Sequence, residues 1–375
     1  MARRKGKSER RVKDWQQRYT APGEFADTAA KRQRLAPRAV KIPSWRQDDA
    51  SENLDDLPHA EGMVVGHFPG GAIVRVGSEE LLCAIAGTFR SPAGASALAV
   101  GDDVTVAVTR SEHRREGEDD KDRADGMILA RGPRRTVLAR PRPRSGKRTD
   151  QFAAETFDKV IAANMDVLLI VASTRRPPLN HALVDRFLII AERGELRPVL
   201  AINKIDLAPP DEHVLADMAG LVKQVFTCSA VTGQGLQELR VALLGNRTIL
   251  AGASGVGKST VINAMIPGAN AATRPVRAKN DRGRHVTSAA AIYDLPGGGV
   301  LVDTPGIREL GLGLDAAELP WYFPEFERLA PLCKFNDCTH TREPGCAVLA
   351  AVEAGDILLR RYESYRRILV TLEER

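Results

Sequence analysis

The sequence lacks any apolar run long enough to span a bilayer. It also lacks an apolar segment near its start that would serve as a secretion signal. Both absences point to a cytoplasmic protein with no membrane partner. Cysteine is scarce, with five residues in 375, so a disulfide framework is excluded as the source of stability. Cys83 and Cys228 stand alone in apolar runs and read as buried small hydrophobes. No internal repeat is apparent. Acidic residues are scarce at the start: residues 1–46 hold four Asp or Glu against fourteen Lys or Arg. A segment of that kind is predicted to be disordered when free. Its charge fits a nucleic acid, since Lys and Arg displace counterions from phosphates; a solubilising tail is the plainer alternative.

Elsewhere, 43% hydrophobic and 27% charged residues describe a globular chain long enough for two or three domains. From residue 61 to 140, short alternating runs such as GMVVGHF and AIVRVG are separated by turn signals. They predict a small all-β unit. Residues 141–150 read as a basic linker. From 151 the pattern becomes apolar strands alternating with helices. Strands are predicted at 166–173, 198–203, 224–230, 247–252 and 299–306, with helices including 179–194. This is the signature of a mostly parallel sheet covered on both faces.

The segment GASGVGKS at 252–259 fits the phosphate-loop pattern between a strand and a helix. Gly252, Ala253, Ser254, Gly255, Val256 and Gly257 turn backbone N–H groups toward phosphates, and the helix start at Lys258, Ser259 and Thr260 adds a positive dipole end. Lys258 is expected to reach the β- and γ-phosphates and to serve catalysis there, with the Ser259 hydroxyl on Mg2+. NKID at 203–206 ends another strand. Asp206 offers a carboxylate to the paired N1–H and N2–H donors of guanine, which adenine lacks. Asn203 is expected to brace the loop and Lys204 to lie over the purine. Ser229 and Ala230 are expected to offer backbone N–H groups to the guanine oxygen. In DTPG at 303–306, Asp303 is expected near Mg2+ and Gly306 near the γ-phosphate. Each motif is ordinary alone; four in one α/β segment point to GTP.

Their order is unusual, because the base motif precedes the phosphate loop by about fifty residues. Joining the old chain ends permits this, since domain termini lie close together; residues 235–244 read as the helix that joins them. The three thiols and one imidazole of Cys333, Cys338, His340 and Cys346, spaced C-x4-C-x-H-x5-C, suggest one structural Zn2+, with Asp337 as a neighbouring support.

With these motifs in place, and with GRH at 283–285, the chain resembles the circularly permuted ribosome small subunit-dependent GTPase A family over roughly residues 60–375. Beyond the basic tail at 1–58, about which it says little, the resemblance implies a multidomain α/β architecture: a small all-β OB-fold barrel at 59–140 that binds RNA, a circularly permuted P-loop GTPase domain at 151–310 and a helical zinc-binding C-terminal domain at 311–375. It further implies a monomer that binds GTP and GDP, acts on the small (30S) ribosomal subunit and its 16S rRNA late in assembly, and hydrolyses GTP when stimulated there. Ile307 stands where many GTPases carry the water-orienting Gln. The resemblance suggests His285 in that role, an exposed or RNA-facing His being the alternative. Thr287 is the candidate switch hydroxyl for Mg2+, with Ser288 beside it. Two other readings remain open: an RNA-binding factor that uses GTP only to order itself, and an ATP-using enzyme, which NKID disfavours. Because the chain runs from DTPG straight into the zinc module, a shift around Gly306 would be passed to that module.

Overall fold

The computed structural model describes residues 57–68, 70–90, 98–109, 124–140, 159–269, 271, 290–304, 307 and 311–373. The basic tail, and with it the expectation of disorder there, lies outside the described residues. So do His285, Thr287, Ser288 and Gly306.

Five strands close a barrel: β1 (His59–Phe68), β2 (Gly71–Val76), β3 (Glu79–Arg90), β4 (Asp103–Val108) and β5 (Gly126–Arg131), in the order β1-β2-β3-β5-β4. Alternation drives the closure. Val64, Val74, Val104, Val106 and Ile128 all face the barrel interior with Cys83, and their neighbours along each strand face outward. β3 and β5 pair in parallel, whereas every other barrel pair is antiparallel. This partly Greek-key closure is that of an OB-fold. The barrel ends at Arg131. β6 (Val137–Arg140), inside the segment read as barrel, leaves it to pair with β7 (Lys159–Ala163).

The larger sheet has the order β10-β9-β8-β11-β13-β12. Its members are β8 (Val167–Ser173), β9 (Arg197–Asn203), β10 (Val225–Thr227), β11 (Arg247–Ala251), β12 (Ala291–Asp294) and β13 (Val300–Asp303). Only β12 runs antiparallel. Every residue of β8 is buried, as a central parallel strand covered on both faces requires. Leu168, Ile170 and Ala172 face one core, and Val167, Leu169 and Val171 the other. The helices are α1 (His181–Arg193), α2 (Glu212–Leu221), α3 (Leu236–Leu243) and α4 (Lys258–Met265). α3 carries the chain from edge strand β10 back to central strand β11, so the phosphate loop can follow the base motif in sequence and still stand beside it.

The barrel is docked through the turn at 100–103. Asp102, fully buried, accepts both hydrogen bonds of a bidentate contact from Arg134, each 2.7 Å. Asp103 pairs with Arg247 at the start of β11 at 2.8 Å. Buried Asn164 donates to Asp103 and to the Gly101 carbonyl.

The C-terminal unit contains α5 (Ala347–Ala354) and α6 (Leu359–Glu373). It shares one apolar core with the sheet, in which Phe323, Phe326 and Tyr365 join Val184, Phe187 and Ile190 of α1. Arg361 and Arg360 fasten α6 to its neighbours. The Arg361 side chain is 5% exposed, and its guanidinium pairs with Asp185 at 2.5 Å and with Glu325 at 2.7 Å. Arg360 reaches Asp217 of α2 at 2.7 Å. The C-terminal unit is therefore packed against the sheet domain. A buried cation of this kind holds its place because its partners satisfy it; losing one partner would strand the other.

Candidate functional site

The phosphate loop bridges the end of β11 and the start of α4, as a strand–loop–helix phosphate site requires. Gly252 has φ +141°, and a Cβ there would stand 2.2 Å from the Val171 carbonyl oxygen. Gly257 has φ +96°, and a Cβ there would meet the Asn203 amide nitrogen at 2.4 Å. Both positions admit only glycine. Lys258 is 7% exposed, and its ammonium donates to the Gly252 and Ala253 carbonyls at 2.9 and 2.8 Å. Those neutral acceptors are the contacts a phosphate oxygen would replace with a stronger, charge-assisted one. Ser259 follows at the helix start, half-buried, and Thr260 is exposed. Asp303 ends β13, which pairs in parallel with β11 through Ile249 and Val302. The residues expected around Mg2+ that are described, Ser259 and Asp303, thus follow the C-terminal ends of adjacent strands.

The base motif is joined to this loop by direct contacts. Asn203, 2% exposed, donates from its amide nitrogen to the Val256 carbonyl at 3.0 Å. Its amide oxygen accepts from the Ala230 N–H at 3.0 Å. The Lys204 ammonium, in a left-handed residue with φ +66°, donates to the carbonyls of Arg176 and Gly255. The Ser229 hydroxyl donates to Asp206 at 2.6 Å, fixing one carboxylate oxygen. The Ser229 N–H donates to the Gln234 carbonyl and the Ala230 N–H to the Asn203 amide oxygen, so both residues are tied into the loop that carries Asn203 and Asp206.

Ile307 is 3% exposed and part of the core, so the position after DTPG presents hydrocarbon to its surroundings. Cys83 and Cys228 are fully buried, and burial pushes their thiols up to about 12 and about 11. Both are inert, as their apolar surroundings suggested.

The Cys/His cluster forms a compact centre. The ligand atoms of Cys333, Cys338, His340 and Cys346 all lie within 4.8 Å of one another. Cys333 and Cys346 sulfurs are 3.8 Å apart, and each is 3.5 Å from His340 Nδ1. A tetrahedral zinc with Zn–S of about 2.3 Å and Zn–N of about 2.0–2.1 Å spans S–S edges of about 3.8 Å and S–N edges of about 3.6 Å. The donor set and spacing fit zinc. Burial lowers the His340 pKa, which favours the neutral imidazole a metal binds. Asp337 is exposed, and Glu343 takes the supporting role expected of it. Glu343 accepts from the N–H groups of Thr339, Thr341 and Arg342. Burial opposes its charge, yet bonds from Thr339 and Arg342 hold its carboxyl well below the usual range. Tyr365 and Tyr362 of α6 donate to the carbonyls of Thr339 and His340 at 2.7 and 2.9 Å, tying the ligand loop to the anchored helix. These supports are long-range and had no signal in the Cys/His spacing.

Comparison with known proteins agrees with this geometry. The RsgA GTPase family model matches residues 132–313. The chain is 40% identical over 296 residues to a small ribosomal subunit biogenesis GTPase RsgA of Chlorobaculum tepidum, covering 77% of this chain and 90% of that one. A protein of the same name from Pseudomonas fluorescens strain Pf0-1 is 36% identical over 362 residues, 94% of each chain. Among solved structures, YjeQ from Thermotoga maritima aligns with TM-score 0.60 and 30% identity over 85% of this chain and 100% of its own. YloQ, described as a circularly permuted GTPase, aligns with TM-score 0.56 and 25% identity over 84% and 96%.

Proposed function

Because the chain belongs to the RsgA family of small ribosomal subunit biogenesis GTPases, we propose that it hydrolyses GTP to GDP and phosphate when stimulated by the small subunit, late in that subunit's maturation. The observation that carries this reading is the pair of contacts from Asn203 to Val256 and from Lys204 to Gly255. They make base motif and phosphate loop one site despite their inverted order. Asp206, oriented by Ser229, selects guanine. Lys258 exchanges its loop carbonyls for phosphate oxygens and steadies the charge that develops during transfer. Mg2+, implied by the GTPase family, neutralises phosphate charge when bound; Ser259, Asp303 and Thr287 are the residues that would hold it. His285 positions the attacking water, a role the buried hydrocarbon of Ile307 cannot fill. A zinc ion on Cys333, Cys338, His340 and Cys346 holds the C-terminal unit. The OB-fold barrel binds 16S rRNA. The protein works as a cytoplasmic monomer; among the described residues, no helix is long and apolar enough to cross a membrane.

The test is multiple-turnover phosphate release with purified small subunits, large subunits and neither, in wild type and His285→Ala. Small subunits alone are expected to raise wild-type turnover, and His285→Ala is expected to lose most of that stimulation. Equal turnover in all three wild-type conditions would refute small-subunit stimulation. Full stimulation of His285→Ala would remove His285 from the mechanism.

A further inference from the structure

The strap from Thr174 to Pro178, at the exit of β8, is built onto the nucleotide site by bonds that no motif accounts for. The Thr174 N–H donates to the Asn203 carbonyl at 3.1 Å, and the Thr174 hydroxyl to the Lys204 carbonyl at 2.8 Å. The Ser173 hydroxyl donates to the Pro177 carbonyl at 2.7 Å, closing the strap on itself. The Lys204 ammonium takes the Arg176 carbonyl together with that of Gly255. Pro177 Cδ lies 3.5 Å from where a Cβ on Gly255 would stand. The strap therefore touches the base motif on one side and the phosphate loop on the other.

Arg176 is the residue at its crest. Its φ of +51° is a conformation that side chains other than glycine rarely adopt, and such strain concentrates at functional sites. Arg176 is exposed, as is Arg175. The ion pairs among the described residues include neither guanidinium. By contrast, Arg361 and Arg134 are held by buried acids. A cation left uncommitted, one residue from a proline seated on the phosphate loop, is placed for a polyanion that occupies that loop.

We propose that Arg176 is a further nucleotide-binding residue whose guanidinium contacts the phosphate chain of the bound guanine nucleotide, while its carbonyl holds Lys204 for the base. This rests on the reading of the site as a GTP site. Guanidinium suits the task because it stays charged and can donate to two phosphate oxygens at once. The backbone carbonyl survives substitution, so the side chain's contribution separates from the pinning of Lys204.

The experiment measures equilibrium binding of GDP, GTP and guanosine to the full chain in wild type, Arg176→Ala, Arg176→Lys and Arg175→Ala. Arg176→Ala is expected to weaken GDP and GTP binding by about tenfold, the scale of one charge-assisted hydrogen bond. Guanosine, which has no phosphate, is expected to bind as to wild type. Arg176→Lys is expected to recover part of the loss, and Arg175→Ala to match wild type. A GDP affinity unchanged in Arg176→Ala, or an equal loss for guanosine and GDP, would overturn the proposal. Thermal melts of each variant identify any loss of folding, and Arg176→Lys then carries the comparison. Failure of wild type itself to bind GDP would overturn the GTP-site reading instead.

Discussion

Replacing Asp206 with asparagine is expected to weaken GTP and GDP binding by about a thousandfold and to confer binding of xanthine nucleotides. The carboxylate accepts from two donors on the guanine edge, and bonds to a charged acceptor contribute about 1.5–3 kcal/mol each. Losing one of these bonds and setting an amide donor against the guanine amino group, each a term of that size, corresponds to about two to four orders of magnitude in affinity. Asparagine keeps one acceptor and places a donor where the second oxygen stood. Xanthine carries a carbonyl in place of the guanine amino group, so the altered side chain matches it. Ser229 donates to one Asp206 oxygen at 2.6 Å, and that bond orients an amide oxygen equally well. The variant should therefore fold and bind xanthosine diphosphate. Competition titrations with the two diphosphates check this; unchanged GDP affinity in Asp206→Asn would show that the base is read elsewhere.

The second large effect is expected at the zinc centre. Cys346→Ser removes one of three thiolates from a closed site, and structural zinc in finger peptides contributes about 10–16 kcal/mol. Cys346 is also the N-cap of α5, where its sulfur accepts from the Leu349 N–H at 3.4 Å. Serine can cap that helix, so the loss reports on the metal. The variant is expected to purify without stoichiometric zinc and to show early protease cleavage in the C-terminal unit. The His340 ring packs edge-on against Phe326 at 5.6 Å, and loosening the ligand loop unseats that contact. The sheet domain should keep its fold, because the sheet strands with α3 and α4 form a second core on the far face. Guanine nucleotide binding is thus expected to change little. Metal analysis and limited proteolysis check the prediction. Full zinc content and unchanged proteolysis would show that Cys346 is not a ligand.

How much of this was legible in the sequence depended on whether the signal was local. The run at 166–173 read as a strand and is β8, because a doubly buried strand is continuously apolar. The run at 224–230 is a strand only over Val225–Thr227, since Cys228 and Ser229 turn to serve the base motif. β7 and β12 are five and four residues long, too short for their apolar pattern to stand out from the turns around them. Motif residues could be assigned because their chemistry lies in fixed spacing. What spacing could not carry were the long-range partners. Arg361 meets Asp185 and Glu325, which lie far from it in sequence. Glu343 outdid Asp337 because three N–H groups converge on it. Arg176 was hidden in a turn whose meaning depends on Lys204 and Gly255 meeting it.

The central claim is that motifs in inverted order form one guanine-specific site. Displacement of labelled GDP from the full chain by unlabelled nucleotides tests it most directly. GTP is expected to displace the label near stoichiometry, and ATP is expected to leave it bound even at about a thousandfold excess, on the scale of affinity set by Asp206. Displacement by ATP at the same concentration as GTP would contradict the account.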